Sequence, residues 1–233
     1  MTRHELKEQL QHDHFTDTVS GVVGYAQTHR DQVIRWAVAL VIVLVIAGGV
    51  FWYEAYRSSV RTQDLQAAFS VLEAPVGPAN ANYQSYPTEQ AKRQASIQAL
   101  SRVVAKDAGS RQGFVAEYYL GTLKAQNGDS KGAETDLSAA AKSGSEVAPL
   151  AKIALAQLYA GQNRIPEAQK LLHELIDKPS SLVSKAQAQI LLAKVDATAN
   201  PKEAKNILQS LKTPTEDPAV ARAADEISSQ LAK

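Results

Sequence analysis

Residues 155–175 read L-A-Q-L-Y-A-G-Q-N-R-I-P-E-A-Q-K-L-L-H-E-L, and residues 120–140 read L-G-T-L-K-A-Q-N-G-D-S-K-G-A-E-T-D-L-S-A-A. Laid over one another, Leu120 falls on Leu155, Gly121 on Ala156, Leu123 on Leu158, Ala133 on Ala168 and Leu137 on Leu172, always 35 residues apart. A third copy begins at Leu192, L-A-K-V-D-A-T-A-N-P-K-E-A-K-N-I-L-Q-S-L, with one residue deleted before Ala204, so that Leu208 and Leu211 stand where Leu172 and Leu175 stand. A fixed period of this size marks a solenoid. One unit cannot bury its own apolar stripe, and stacking several makes a shared core.

Outward from these copies the same helical character continues. Residues 54–233 hold 34 Ala and eight aromatic residues, and the β-branched alternation that strands need is missing. Punctuation cuts the region into short helices. The stretch P-V-G-P-A-N-A-N-Y-Q-S-Y-P at 75–87 separates a helix ending near Ala74 from one beginning near Thr88, and N-G-D at 127–129 ends another. Asn200-Pro201 and Asp217-Pro218 each place a capping side chain before a proline suited to the first helical position, and Pro166 opens a helix too. Small residues in mid-helix, such as Gly121 and Ala156, let two antiparallel helices approach closely. The Leu positions then fill the space between successive pairs.

These positions resemble the tetratricopeptide repeat, whose period is about 34 and whose pattern sets a small residue after Leu, Tyr three further on, and Ala in the second helix. Tyr159 supplies the aromatic of the middle copy. Lys124 and Asp196 stand where the other copies would carry Tyr, Glu117, Lys152 and Gln189 replace the family's Trp, and the closing proline is displaced to Pro179. The resemblance implies a stack of helical hairpins, while the departures argue against a regular superhelix or a standard peptide-carboxylate clamp.

Before the stack, Trp36 to Tyr53 runs eighteen residues without a charge, W-A-V-A-L-V-I-V-L-V-I-A-G-G-V-F-W-Y. As a helix it spans roughly 27 Å, close to the hydrocarbon thickness of a bilayer. Ten of its residues are Val, Ile, Leu or Phe, each favouring insertion by roughly 0.3–0.6 kcal/mol near the membrane centre. Trp36 at one end and Trp52 and Tyr53 at the other form aromatic belts, and Arg35 and Arg57 can reach the head-group layers. A core helix seldom stays apolar on every face. A cleaved signal peptide seldom follows thirty-five residues and lacks an A-x-A-like site. An uncleaved single-pass anchor is the reading. Its orientation is open, because Arg30 and Arg35 on one side balance Arg57 and Arg61 on the other.

In residues 1–35, Phe15, Val19, Val22, Ala26, His29 and Val33 recur at helical steps, giving an amphipathic helix that lies on lipid or docks on a partner. A frayed polar tail is the competing reading, since Gly21 and Gly24 weaken a helix. His4, His12 and His14 match no zinc spacing and read as solvated.

Composition excludes several classes. Lys plus Arg is 25 against 24 for Asp plus Glu, and basic residues are scattered, which gives no footprint for nucleic acid. Zero Cys removes disulfides, thiolate nucleophiles and Cys-based metal sites. Past the anchor the chain has one His, His173, and no phosphate-cradling, dinucleotide or zinc-protease motif. Asp225 and Glu226 are adjacent on a helix and do not face each other. No enzyme, cofactor or small-molecule substrate is expected. A cryptic hydrolase or a regulator of one is the enzyme-class alternative, and a deep pocket with converging ionisable groups would be its sign.

The order of tail, anchor, long helix and degenerate repeats resembles the bacterial YfgM-like family, single-pass ancillary subunits of the Sec translocon. The resemblance implies an all-α protein in the bacterial inner membrane: a cytoplasmic tail at 1–35, a transmembrane helix at 36–53, a membrane-proximal helical pair at 54–110, and a periplasmic tetratricopeptide-like stack at 111–233. It also implies protein partners, namely translocon subunits, periplasmic chaperones or exported polypeptides, and a role in Sec-dependent translocation or chaperone handover. A scaffold for another envelope or secretion complex is the alternative. By the repeat register, Tyr118, Thr122, Ile153, Gln157, Ile190 and Lys194 lie on the inner face of each first helix and form the candidate protein-binding groove. Ile153 and Ile190 fit a core role equally well.

Overall fold

The computed structural model describes residues 30–78, 84–212 and 218–230. The proposed tail helix before residue 30, the histidines at 4, 12 and 14, and the Asp217 cap lie outside the described residues. Those residues form α1 (Arg30–Glu73), α2 (Glu89–Lys106), α3 (Arg111–Gln126), α4 (Ser130–Lys142) and α5 (Ala148–Gly161). They continue as α6 (Ile165–Asp177), α7 (Lys185–Ala199), α8 (Pro201–Lys212) and α9 (Pro218–Gln230), with no strand among them. The chain divides into two compact units, Met1–Ser59 and Val60–Lys233.

In the first unit α1 is, from Ile34 onward, long and apolar enough to cross a membrane, and none of its most apolar window is buried. Trp36, Trp52 and Tyr53 are all exposed. The Trp52 ring stacks on Tyr56 at 6.1 Å, and the Arg57 guanidinium sits 5.8 Å from the Tyr53 ring centre. So many large apolar side chains outside a core make this helix a candidate membrane span.

The second unit is a ladder in which each helix packs on its neighbours in the chain. Its first rung joins the end of α1 to α2 and α3 through Ala68, Leu100, Val103, Ala116 and Leu120. The described ends of the connector after α1 are hydrogen-bonded to each other: Gly77 N donates to Tyr86 O at 2.9 Å, and Tyr86 N to Pro75 O at 3.1 Å. Hydroxyl and carboxylate caps start the helices by accepting otherwise orphaned amides. Thr88 takes Ala91 N, Ser110 takes Gly113 N, Asp129 takes Gly132 N and Ser184 takes Gln187 N.

The middle hairpins show what the repeat positions do. A Cβ built on Gly121 would lie 2.7 Å from Leu137 Cγ and 3.1 Å from the Leu137 amide, so glycine is what lets α3 and α4 close up. Leu137 therefore fills the space against Gly121 within its hairpin. Leu172 joins a cluster with Ala156, Ala168, Leu175, Val183, Ala188, Leu192 and Val195 that runs from α5 across α6 into α7. The last cluster, Ala193, Ala204, Leu208, Leu211, Ala224 and Ile227, seals α7 and α8 under α9. Each buried Leu contributes roughly 1.5–3 kcal/mol relative to an exposed one. The outward residues of α9, Arg222, Asp225, Glu226 and Ser229, are exposed and polar, so α9 ends the stack as a cap.

Candidate protein-binding site

The six groove positions come from three helices and differ in what they leave free. Tyr118 on α3 is half-buried against Ala140, Ala141 and Ala151. Burial pushes its phenol above the ordinary value, with a smaller push from Tyr119. Its ring meets Tyr119 edge-on at 5.1 Å, and Tyr119 meets Phe69 of α1 in the same way at 4.9 Å. This aromatic row was missed in the sequence, although the Tyr118-Tyr119 pair was its visible trace. Thr122 spends its hydroxyl on its own helix, donating to Tyr119 O at 2.8 Å. Ile153 and Ile190 are half-buried and pack against the clusters around Leu172 and Leu208 respectively. Gln157 and Lys194 are exposed. The groove positions with polar groups free for a partner are thus Gln157, Lys194 and the edge of Tyr118.

At the repeat's aromatic position, whether it holds Lys124, Tyr159 or Asp196, polar links cross between helices. Lys124 Nζ lies 2.7 Å from Asp136 Oδ2, tying α3 to α4. Beside them Glu117 is buried, and its Oε2 has no hydrogen-bond partner. Burial raises the Glu117 carboxyl above its ordinary value, and the neighbouring Asp136 charge adds to this. Burial likewise raises Asp136, against the pull of Lys124. In the next hairpin the Tyr159 hydroxyl donates to Glu134 Oε1 at 3.0 Å, and Arg164 Nη1 lies 2.8 Å from Glu134 Oε2. The Arg164 guanidinium also covers the Tyr159 ring at 4.0 Å and holds the Glu134 carboxyl below its usual range. In the third, Asp196 is buried and accepts from Gln169 Nε2 at 2.5 Å.

Of the clefts that open in this unit, two bear on the site, and none of the six groove positions lines either. One, of about 460 Å³, lies between the end of α1 and α2 under Gln84 and Tyr86. Its walls mix Ala67, Ala68, Ala95, Ala99 and Val103 with Asp64, Gln98, Arg102 and Lys106. The other, of about 880 Å³, lies between α4, α5 and α6. Leu155, Leu171, Leu175, Ala141 and Pro149 line it, with Lys142, Lys152, Lys170 and Lys178 at its edges. Among the described residues no three of His, Cys, Asp or Glu gather as they would around a metal ion. His173 is exposed on α6.

A stack of helical hairpins with small residues at the crossing points, polar links between rungs and an open, unroofed surface defines a repeat protein of the kind that works by contact with other polypeptides. The chain belongs to the tetratricopeptide repeat-like domain family, whose profile matches residues 33–181. None of the curated proteins matches the chain significantly. Among solved structures, the chain is similar to nearly identical TPR-like repeats from Podosopora anserina described as a kinesin light chain, with 17% identity and a TM-score of 0.48 over 62% of this chain and 84% of that one. A single-residue variant of that protein gives the same identity and TM-score over 87% of its own length.

Proposed function

We propose that this protein is a membrane-anchored, non-catalytic interaction module of the bacterial inner membrane, with its tail cytoplasmic and its repeat stack periplasmic. In this reading the stack holds segments of translocon subunits, periplasmic chaperones or exported polypeptides and assists Sec-dependent translocation or handover. The observation that carries it is that one chain holds both an exposed apolar run suited to lipid and a tetratricopeptide-like stack. A tether of that kind raises the effective concentration of a weak binding surface without any new contact. The side chains left free at Gln157 and Lys194, an amide and a cation, suit modest and tolerant binding of peptide rather than a small molecule.

Photoreactive residues introduced at Tyr118 and Gln157 in living cells test the reading. Translocon subunits, periplasmic folding factors or exported chains should be captured. Capture of a different envelope assembly would transfer the same surface to a scaffold role and end the translocation reading, and no capture at either position would remove the groove.

A further inference from the structure

We infer that the cleft between α4, α5 and α6 is a second binding surface, on another side of α5 from Ile153 and Gln157, and that its ligand is an acidic amphipathic helix of a partner protein. The inference deepens the interaction reading by naming a second site and its partner's chemistry. Of the α5 residues lining the cleft, Ala148, Lys152, Leu155 and Tyr159 follow one another at four-, three- and four-residue steps, with Pro149 beside them in the first turn. They share a stripe to which residues 153 and 157 do not belong. The floor is apolar, with Leu155 and Leu175 buried and Leu171 half-buried. Along α6 it extends from Glu167 to Lys178, roughly 17 Å as a helix, which matches about three turns of a docked helix.

Charge decides what kind of helix. Lys152 is already paired with Glu174 at 2.7 Å and Glu167 with Arg164 at 3.0 Å. That leaves Lys142, Lys170 and Lys178 exposed and without an ion-pair partner among the described residues, against one unpaired carboxylate, Asp177. An apolar floor with a cationic rim is complementary to a helix that is apolar on one face and acidic along its edges. A small molecule fits less well, because such sites fix their ligand with polar groups set deep in the pocket. Here the unpaired charged groups, Lys142, Lys170, Lys178 and Asp177, are all exposed.

The full chain in detergent micelles or nanodiscs, titrated with a fluorescent twelve-residue helical peptide carrying Leu on one face and Glu on its flanks, tests this by anisotropy. Binding should weaken at least tenfold for the Lys170→Glu, Lys178→Glu double variant, fall with added salt, and vanish for the same peptide with Lys in place of Glu. Both lysines are exposed, so circular dichroism of the variant should be unchanged. Equal binding of the acidic and basic peptides, insensitivity to the lysine changes, or lysine-dependent binding of phosphatidylglycerol vesicles with none of the peptide would overturn it. Cross-linking at Gln157 reads the other side of α5. Partners captured there with no peptide binding would sink this inference alone, and the reverse would sink the groove alone.

Discussion

At the scale of single residues, two positions show opposite ways of departing from a hydrophobic core. Gly121 is small because Leu137 occupies the space its side chain would need. Gly121→Val would force α3 away from α4, and overpacking of this kind costs about 1–3 kcal/mol. The expected outcome is a lower midpoint in thermal or denaturant unfolding of the full chain in detergent, and an unchanged midpoint would refute the close approach. Glu117 is large, polar and buried, with one carboxylate oxygen unsatisfied. Its folded-state pKa is raised by burial above the ordinary 4.5. The folded state therefore holds the proton more tightly than the unfolded one. The cost of the charge is fully present above the raised value and disappears as the pH falls through it toward the ordinary carboxylate range. Glu117→Gln should stabilise the protein by up to about 1 kcal/mol at neutral pH. The gain should shrink as the pH falls through the raised value toward 4.5, and a gain that grew instead would contradict the assignment.

At the scale of helices, the hairpins depend on Leu positions that recur from copy to copy. Leu172 belongs to a cluster drawn from three helices, and Leu137 fills the space against Gly121 in its hairpin. An unpaired aspartate at either site has no partner and no water. Leu172→Asp is expected to cost more than about 4 kcal/mol and unfold the stack. Leu137→Asp should do damage concentrated on α3 and α4. Hydrogen exchange separates the two: protection should be lost across α5 to α7 for the first and mainly across α3 and α4 for the second. Native protection of both variants would mean that the repeat register is wrong. The register itself was legible, since the 35-residue offset and the Asn200-Pro201 and Pro166 signals all fall where helices begin. The Ser110 cap and the connector at 143–147 were not read from the sequence. The segment D-A-G-S has only one glycine to advertise a turn, and the second connector lies between two Ala-rich runs that look continuous.

At the scale of the whole molecule, the chain combines a helix whose apolar side chains find no core with a stack whose last described helix is polar on its outer side. Removing residues 1–57 should yield a water-soluble fragment with a strongly helical circular dichroism spectrum. The intact chain should remain with membranes through alkaline carbonate extraction. A fragment that aggregates or shows strand signal would reject the proposed independence of the stack. An intact chain found in the aqueous fraction would reject the anchor.

The sequence by itself determined the helical class, the period and the long apolar run, because each is a local property, read over a few residues or over one repeat. Only the tertiary structure decided that Glu117 and Asp196 are buried, that Lys124 and Arg164 pair with Asp136 and Glu134, and that a lysine-rimmed cleft lies beside α5. Those features join residues from different helices, and nothing in the spacing along one helix says which polar side chains of another will meet it across the gap. The candidate groove stands between the two. Register placed its six residues on three first helices, but packing determined that Ile153 and Ile190 spend their surface on the core while Gln157 and Lys194 keep theirs.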